Sequence, residues 1–168
     1  MTMKKEIPLF KPFRFQDCAR AYKVVSLYDT SPPDAPLCTV PEEAVAYWRD
    51  YFATRPEYDP EVEHSIVLML NTRRRIKGHG LLGVGSHDCV SIHPIQFFRL
   101  AIVTSSPAVV MMHSHPSGDP TPSESDITLT RQLRQSAALL KIDFLDHVIV
   151  SGNCERHFSL RQFGYFMQ

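Results

Sequence analysis

Read for its order of apolar and polar positions, the chain divides into short apolar runs with the length of strands and longer stretches with helical spacing. Residues 64–71, opened by Glu63, run His-Ser-Ile-Val-Leu-Met-Leu-Asn, almost without polar relief. That pattern predicts a central strand covered on both faces. After the turn at 71–75 the chain returns through 76–84 with Gly78, Gly80, Gly83 and Gly85, which predicts a hairpin whose second strand is bent or bulged. Residues 22–29 are β-rich and run into a proline-rich segment that cannot be regular, so they are expected to form a first strand and a loop. Further strands are expected at 89–92, 107–112 and 143–151, with an edge strand at 155–160.

Three stretches have helical character. Thr39 or Val40 is placed to cap a helix, with Pro41 near its first position and Glu42 and Glu43 in its first turn. Val45, Trp48, Tyr51 and Phe52 then recur at steps of three and four. Such a stripe could hold a cofactor ring, but a helix burying its apolar face in its own core accounts for it. Residues 93–103 predict a second helix with Pro94 at its start. Residues 124–140 predict a third, with Ile127, Thr130, Leu133, Ala137 and Leu140 on one face. Strands and helices alternate without a strict β-α-β period, so the expected class is α/β in the mixed α+β sense, a mixed sheet with helices on its faces.

The most informative segment joins the strand at 107–112 to the third helix. It reads His113-Ser114-His115-Pro116-Ser117-Gly118-Asp119-Pro120-Thr121-Pro122-Ser123-Glu124-Ser125-Asp126. Residues two apart on a strand share a face, so His113 and His115 can point the same way. The seven residues between His115 and Ser123 include three prolines, so the connection is stiff and folds back at little further entropic cost. Ser123 suits a helix N-cap, which would place Asp126 in the first turn, where the helix dipole favours an ionised carboxylate. Two neutral imidazoles and one carboxylate suit zinc, and three protein ligands leave a fourth position for water. Singly, each residue has a plainer role as surface histidine, helix cap or first-turn acid; together they point to one zinc ion. The metalloprotease pattern His-Glu-x-x-His is absent.

Composition narrows the setting. With 168 residues and 43% hydrophobic content the chain is expected to form a single globular domain, with residues 1–21 as an N-terminal arm and 22–168 as the domain. Lys+Arg and Asp+Glu both number 18, which argues against tight, salt-dependent binding to nucleic acid. The one basic run, Arg73-Arg74-Arg75, reads as a solvated hairpin turn rather than a phosphate patch. Cys18, Cys38, Cys89 and Cys154 are scattered without a Cys-x-x-Cys pair, and no secretory signal is evident, so reduced thiols in a cytoplasmic protein are expected. No apolar run approaches the length of a membrane span.

His-Ser-His-Pro followed by Ser123-x-x-Asp126 resembles the JAMM signature of the JAB/MPN metalloprotease superfamily. The run His-Pro-Ser-Gly-Asp-Pro-Thr-Pro-Ser, with Leu145-Asp146-His147-Val148-Ile149 further on, is similar to its bacterial RadC-like branch, and the likeness extends from about Glu63 to Ser159. The resemblance implies a JAB/MPN fold, cytidine deaminase-like in its architecture, acting as a zinc-dependent hydrolase of peptide or isopeptide bonds in a peptide or protein substrate. It implies His113, His115 and Asp126 as zinc ligands, Ser123 beside the reacting carbonyl and an upstream glutamate as general acid/base. Glu63 occupies that glutamate's position at the head of its strand, with Glu61 as the alternative if the strand begins earlier. His147 is expected in the core or behind the ligands, and the remaining histidines as ordinary polar residues. The branch's historical name suggests a role in DNA metabolism as a competing reading, and degenerate MPN domains suggest a metal-free scaffold as another. Two departures stand out: Ser114 replaces the usual Asn between the histidines, and Pro94-Ile95-Gln96 replaces the usual Pro-Arg-Glu.

Overall fold

The computed structural model describes residues 35–56, 58–85 and 92–166. The expected arm at 1–21, the strand at 22–29 and residues 89–91 of the short strand lie outside these. Within them the chain forms one mixed α/β domain built on a five-stranded sheet. The strands are β1 (Glu63–Leu70), β2 (Ile76–Gly85), β3 (Ala108–His115), β4 (Asp143–Ser151) and β5 (His157–Ser159), in the order β2-β1-β3-β4-β5. Only β3 and β4 pair in parallel, joined by the crossover helix α3 (Glu124–Leu140); the other pairings are antiparallel.

The two remaining helices are α1 (Pro41–Tyr47), before the sheet, and α2 (Pro94–Val103), between β2 and β3. Helix α1 starts at Val40, an extended residue with no side-chain acceptor. Glu43 compensates, its Oε2 accepting the backbone N–H groups of Thr39 and Val40 at 2.6 and 3.3 Å. The helix then widens into a π-helical turn over Trp48–Phe52, closed by the Ala53 N–H on the Trp48 carbonyl at 2.8 Å. That wider turn puts Trp48 and Phe52 together in the core, with ring centroids 4.6 Å apart. Of the expected aromatic stripe, Val45, Trp48 and Phe52 are buried while Tyr51 is 53% exposed.

Both faces of the sheet are covered, which explains the unbroken apolar runs of its central strands. On one face Ile66, Leu68, Leu70, Val110, Met112 and Val148 pack against Trp48 and Phe52. On the other, Val67, Val109 and Met111 meet Phe97, Phe98 and Ala101 of α2 and Leu133 and Ala137 of α3. Leu140, expected on the buried face of α3, is 43% exposed because the helix ends there in the left-handed cap Lys141. Strand β2 shows the expected irregularity, with register shifts opposite Ser65/Ile66 and Met69/Leu70. At Gly80 a Cβ would stand 2.0 Å from Leu100 Cδ1, so a larger residue there would have to turn the Leu100 side chain of α2 aside.

The arginine run forms the turn between β1 and β2, as expected. Arg74, in left-handed conformation, pairs with Asp143 at 2.9 Å, and Arg75 donates to the Ala35 carbonyl. Cys38 and Cys154 are free thiols, and burial pushes the Cys38 thiol up to about 12. Among the described residues no helix is long and apolar enough to cross a membrane.

Candidate metal centre

The end of β3 and the start of α3 meet at the edge of the α2/α3 face. His113 and His115 project from β3 on the same side as Met111, and their Nε2 atoms approach to 2.9 Å. His113 is enclosed, with 1% of its side chain exposed, while His115 keeps 18%. The intervening loop is braced from several sides. His115 Nδ1 faces the Asp119 carbonyl at 2.9 Å, the Gly118 N–H returns to the His115 carbonyl, and Arg156 donates to the Gly118 carbonyl. Gly118 has a φ of 81°, a left-handed conformation that suits glycine at the bend.

Ser123 caps α3 as its spacing predicts. Its Oγ accepts the Asp126 N–H at 3.2 Å, and its own N–H donates to Asp126 Oδ2 at 2.8 Å. This reciprocal cap turns the Asp126 carboxylate back toward the histidines. Asp126 Oδ1 lies 3.2 Å from His113 Nε2, and Oδ2 lies 3.6 Å from His115 Nε2. One ligand atom from each of the three residues falls within 4.8 Å of the others. Zinc ligands about 2.0–2.1 Å from the ion at tetrahedral angles stand about 3.3–3.4 Å apart. The observed spacings of 2.9, 3.2 and 3.6 Å bracket that value.

Electrostatics agree with a cation between these groups. Burial pushes the Asp126 carboxyl upward, but hydrogen bonds with His113 and His115 outweigh it and hold the group well below the usual carboxylate range. Burial lowers His115 in turn, yet Asp126, the Asp119 carbonyl and the charge of Glu63 together leave it raised. Two imidazole lone pairs 2.9 Å apart repel unless a positive charge lies between them, whether proton or metal ion.

The other expected residues are placed as follows. Ser65 pairs with His113 across β1 and β3, and Glu63 lies two residues further along the same face of β1, toward the His115 end. Glu61 lies in the turn before β1, its N–H held by Asp59 Oδ1 at 2.9 Å. The Ser123 hydroxyl faces Asp126 Oδ2 at 2.6 Å and Ser125 Oγ at 2.7 Å.

His147 does more than fill the core. It is fully buried on the site side of β4, its Nε2 2.8 Å from His113 Nδ1 and its Nδ1 2.6 Å from Thr130 Oγ1. Burial drives its protonation far down, and His113 acts in the same direction. Asp146, its neighbour, faces the other side of the sheet and is satisfied by Ser159 Oγ, the Arg161 N–H and the His147 N–H. Thr130 was legible only as a polar residue within an apolar helical stripe. Of the histidines expected to be ordinary, His64 is buried against Phe52 and Tyr58, and His79 bonds the Tyr47 hydroxyl at 2.8 Å; His87 lies outside the described residues.

Fold and site together define a mixed α/β domain with a His-His-Asp cluster able to bind a metal ion, built where a central strand gives way to a helix. The RadC-like JAB domain matches residues 38–165, and the chain belongs to that family. It is 42% identical over 104 residues to a UPF0758 protein of Shouchella clausii, covering 62% of this chain and 44% of that one. A UPF0758 protein of Coprothermobacter proteolyticus is 36% identical over 122 residues, covering 73% of this chain and 51% of the relative. For one from Methanosarcina acetivorans the identity is 32% over 149 residues, or 88% of this chain and 64% of the relative. The chain thus spans about half the length of most of these curated relatives.

Proposed function

We propose that this domain is a zinc-dependent hydrolase of peptide or isopeptide bonds in a protein substrate. The observation that carries the reading is the convergence of His113 Nε2, His115 Nε2 and an Asp126 carboxylate oxygen within 4.8 Å of one another. Those three residues would hold one ion. When bound, zinc supplies a Lewis acid that polarises a carbonyl and makes water more acidic.

The chain's own groups account for the proton movements. Glu63, on the same face as the histidines, takes the proton of the attacking water and returns it to the departing nitrogen. Ser123 donates its hydroxyl to the carbonyl oxygen as negative charge develops there. For that the hydroxyl must turn from Asp126 Oδ2, which keeps its bond from the Ser123 N–H at 2.8 Å. The loop braced by Arg156 and the partly exposed His115 edge form the open side on which substrate arrives.

A role in DNA metabolism is not favoured: the charges balance at 18 of each sign, and Arg74 of the basic turn is paired with Asp143. The testing experiment is metal analysis of protein purified without chelator, followed by hydrolysis of peptide and isopeptide-linked substrate panels by wild type and Glu63→Gln. The expected result is one zinc per chain in both and turnover only in the wild type. Zinc-free protein that cleaves equally well, or an active Glu63→Gln variant, would overturn the assignment.

A further inference from the structure

Thr130 and His147 touch neither the open side of the site nor the convergent ligand atoms, yet both are fully buried and bonded in series to His113. We infer that they form a neutral relay that fixes the tautomer of His113 and holds its Nε2 toward Asp126. The inference rests on the metal reading of the cluster.

Donor accounting sets the direction of the chain. A threonine hydroxyl carries a single hydrogen. Thr130 gives it to the Asp126 carbonyl at 2.7 Å, an atom that can only accept. The 2.6 Å contact between Thr130 Oγ1 and His147 Nδ1 therefore has the nitrogen as donor. No carboxylate among the described residues hydrogen-bonds the enclosed His147 ring, so the ring is neutral, and its Nε2 carries a lone pair. At 2.8 Å that lone pair accepts a hydrogen from His113 Nδ1. His113 Nε2 is left with its own lone pair aimed at the Asp126 carboxylate edge, the arrangement a cation needs. His115 reaches the same state more simply, its Nδ1–H donating to the Asp119 carbonyl at 2.9 Å.

From the Asp126 carbonyl the relay passes through Thr130 and His147 to His113, tying β3, β4 and α3 together. The Asp126 carboxylate then lies 3.2 Å from His113 Nε2, where a cation between the two would close the ring. Histidine ligands commonly rest on a carboxylate or a backbone carbonyl. Here His113 rests on a neutral imidazole, so the ring is oriented without adding negative charge behind it.

The test uses Thr130→Val, which keeps shape and removes the hydroxyl, and Thr130→Ser, which restores it. Zinc affinity is measured by chelator competition, and imidazole tautomers are read from 15N spectra of the metal-free protein. His147 is expected as the Nδ1–H tautomer in the wild type. Thr130→Val should bind zinc about tenfold or more weakly, the scale of an outer-shell loss, and Thr130→Ser should bind as the wild type does. Wild-type affinity in Thr130→Val overturns the relay, as does an Nε2–H or doubly protonated His147. A wild type that binds no zinc would refute the metal reading instead, and the His147 spectrum would still decide the relay.

Discussion

The hydroxyl oxygen of Ser114 accepts the backbone N–H of His64 at 3.1 Å, across the junction of the two central strands. Ser114 lies between the two site histidines but faces the opposite side of the sheet, and it is wholly buried. The bond fixes the end of β1 to the end of β3 and so sets how far along the histidine face Glu63 stands. The departure from the usual Asn at this place is thus a structural contact on the side of the sheet away from the His-His-Asp cluster.

Removing that contact should cost stability. Ser114→Ala leaves the His64 N–H buried without an acceptor, worth about 1–3 kcal/mol. Denaturant unfolding should show the loss while zinc stoichiometry stays at the wild-type value. A variant as stable as the wild type would mean that the strand ends are held by other bonds.

Asp126 and Ser123 share one cap but should separate in function. Ser123→Ala loses a helix cap, worth about 0.5–2 kcal/mol, and should keep its zinc because the carboxylate retains the N–H of residue 123 at 2.8 Å. Asp126→Ala should remain folded yet lose the metal, since among the described residues it alone brings carboxylate oxygens within 4.0 Å of both Nε2 atoms. Metal analysis of the two purified variants checks this; full zinc occupancy in Asp126→Ala would exclude it as a ligand.

The limits of α3 were readable from the sequence because each local signal agreed: Ser123 as cap, Asp126 in the first turn and a clean apolar stripe. The double-sided burial of β1 was readable for a similar reason, since its run leaves almost no polar face. The π-helical turn at Trp48–Phe52 was not, because a stripe at steps of three and four is the same for a wider turn until packing selects it. The relay from Thr130 to His147 also escaped, because it joins α3 to β4 through a register that only the parallel β3–β4 pairing sets. Whether the strand reaches back to Glu61 became known only with its first residue, Glu63.

Gly152 marks a contact where size alone should matter. A Cβ there would lie 3.0 Å from the Pro60 carbonyl oxygen, 3.5 Å from Pro116 Cα and 3.6 Å from the His115 carbonyl oxygen, all backbone. Its N–H also donates to the His115 carbonyl at 3.0 Å. Gly152→Ala should press on the Pro60 carbonyl in the segment before β1, and the larger Gly152→Val should crowd Pro116 as well, with losses of about 1–3 kcal/mol from overpacking. Denaturant unfolding should show stability falling in the order Gly, Ala, Val. Equal stability across the three would show that the segment at Pro60 yields without cost.

His79 should give the domain a pH-dependent stability unconnected with the metal site. Burial, aided by Arg55, lowers its pKa from 6.5 to about 4. In the folded protein the ring therefore stays neutral down to about pH 4, while in the unfolded chain it takes up a proton near 6.5. Between those values the unfolded state binds more protons, so stability is complete above pH 6.5 and declines as pH falls toward 4, then levels off. One proton sets a ceiling of about 1.4 kcal/mol per pH unit, and the ring's partial exposure reduces its share to a fraction of that. Urea unfolding of wild type and His79→Gln across this range should show a shallower decline in the variant, whatever the carboxylates add to both. Parallel slopes would place the histidine in water and remove it from the acid sensitivity of the fold.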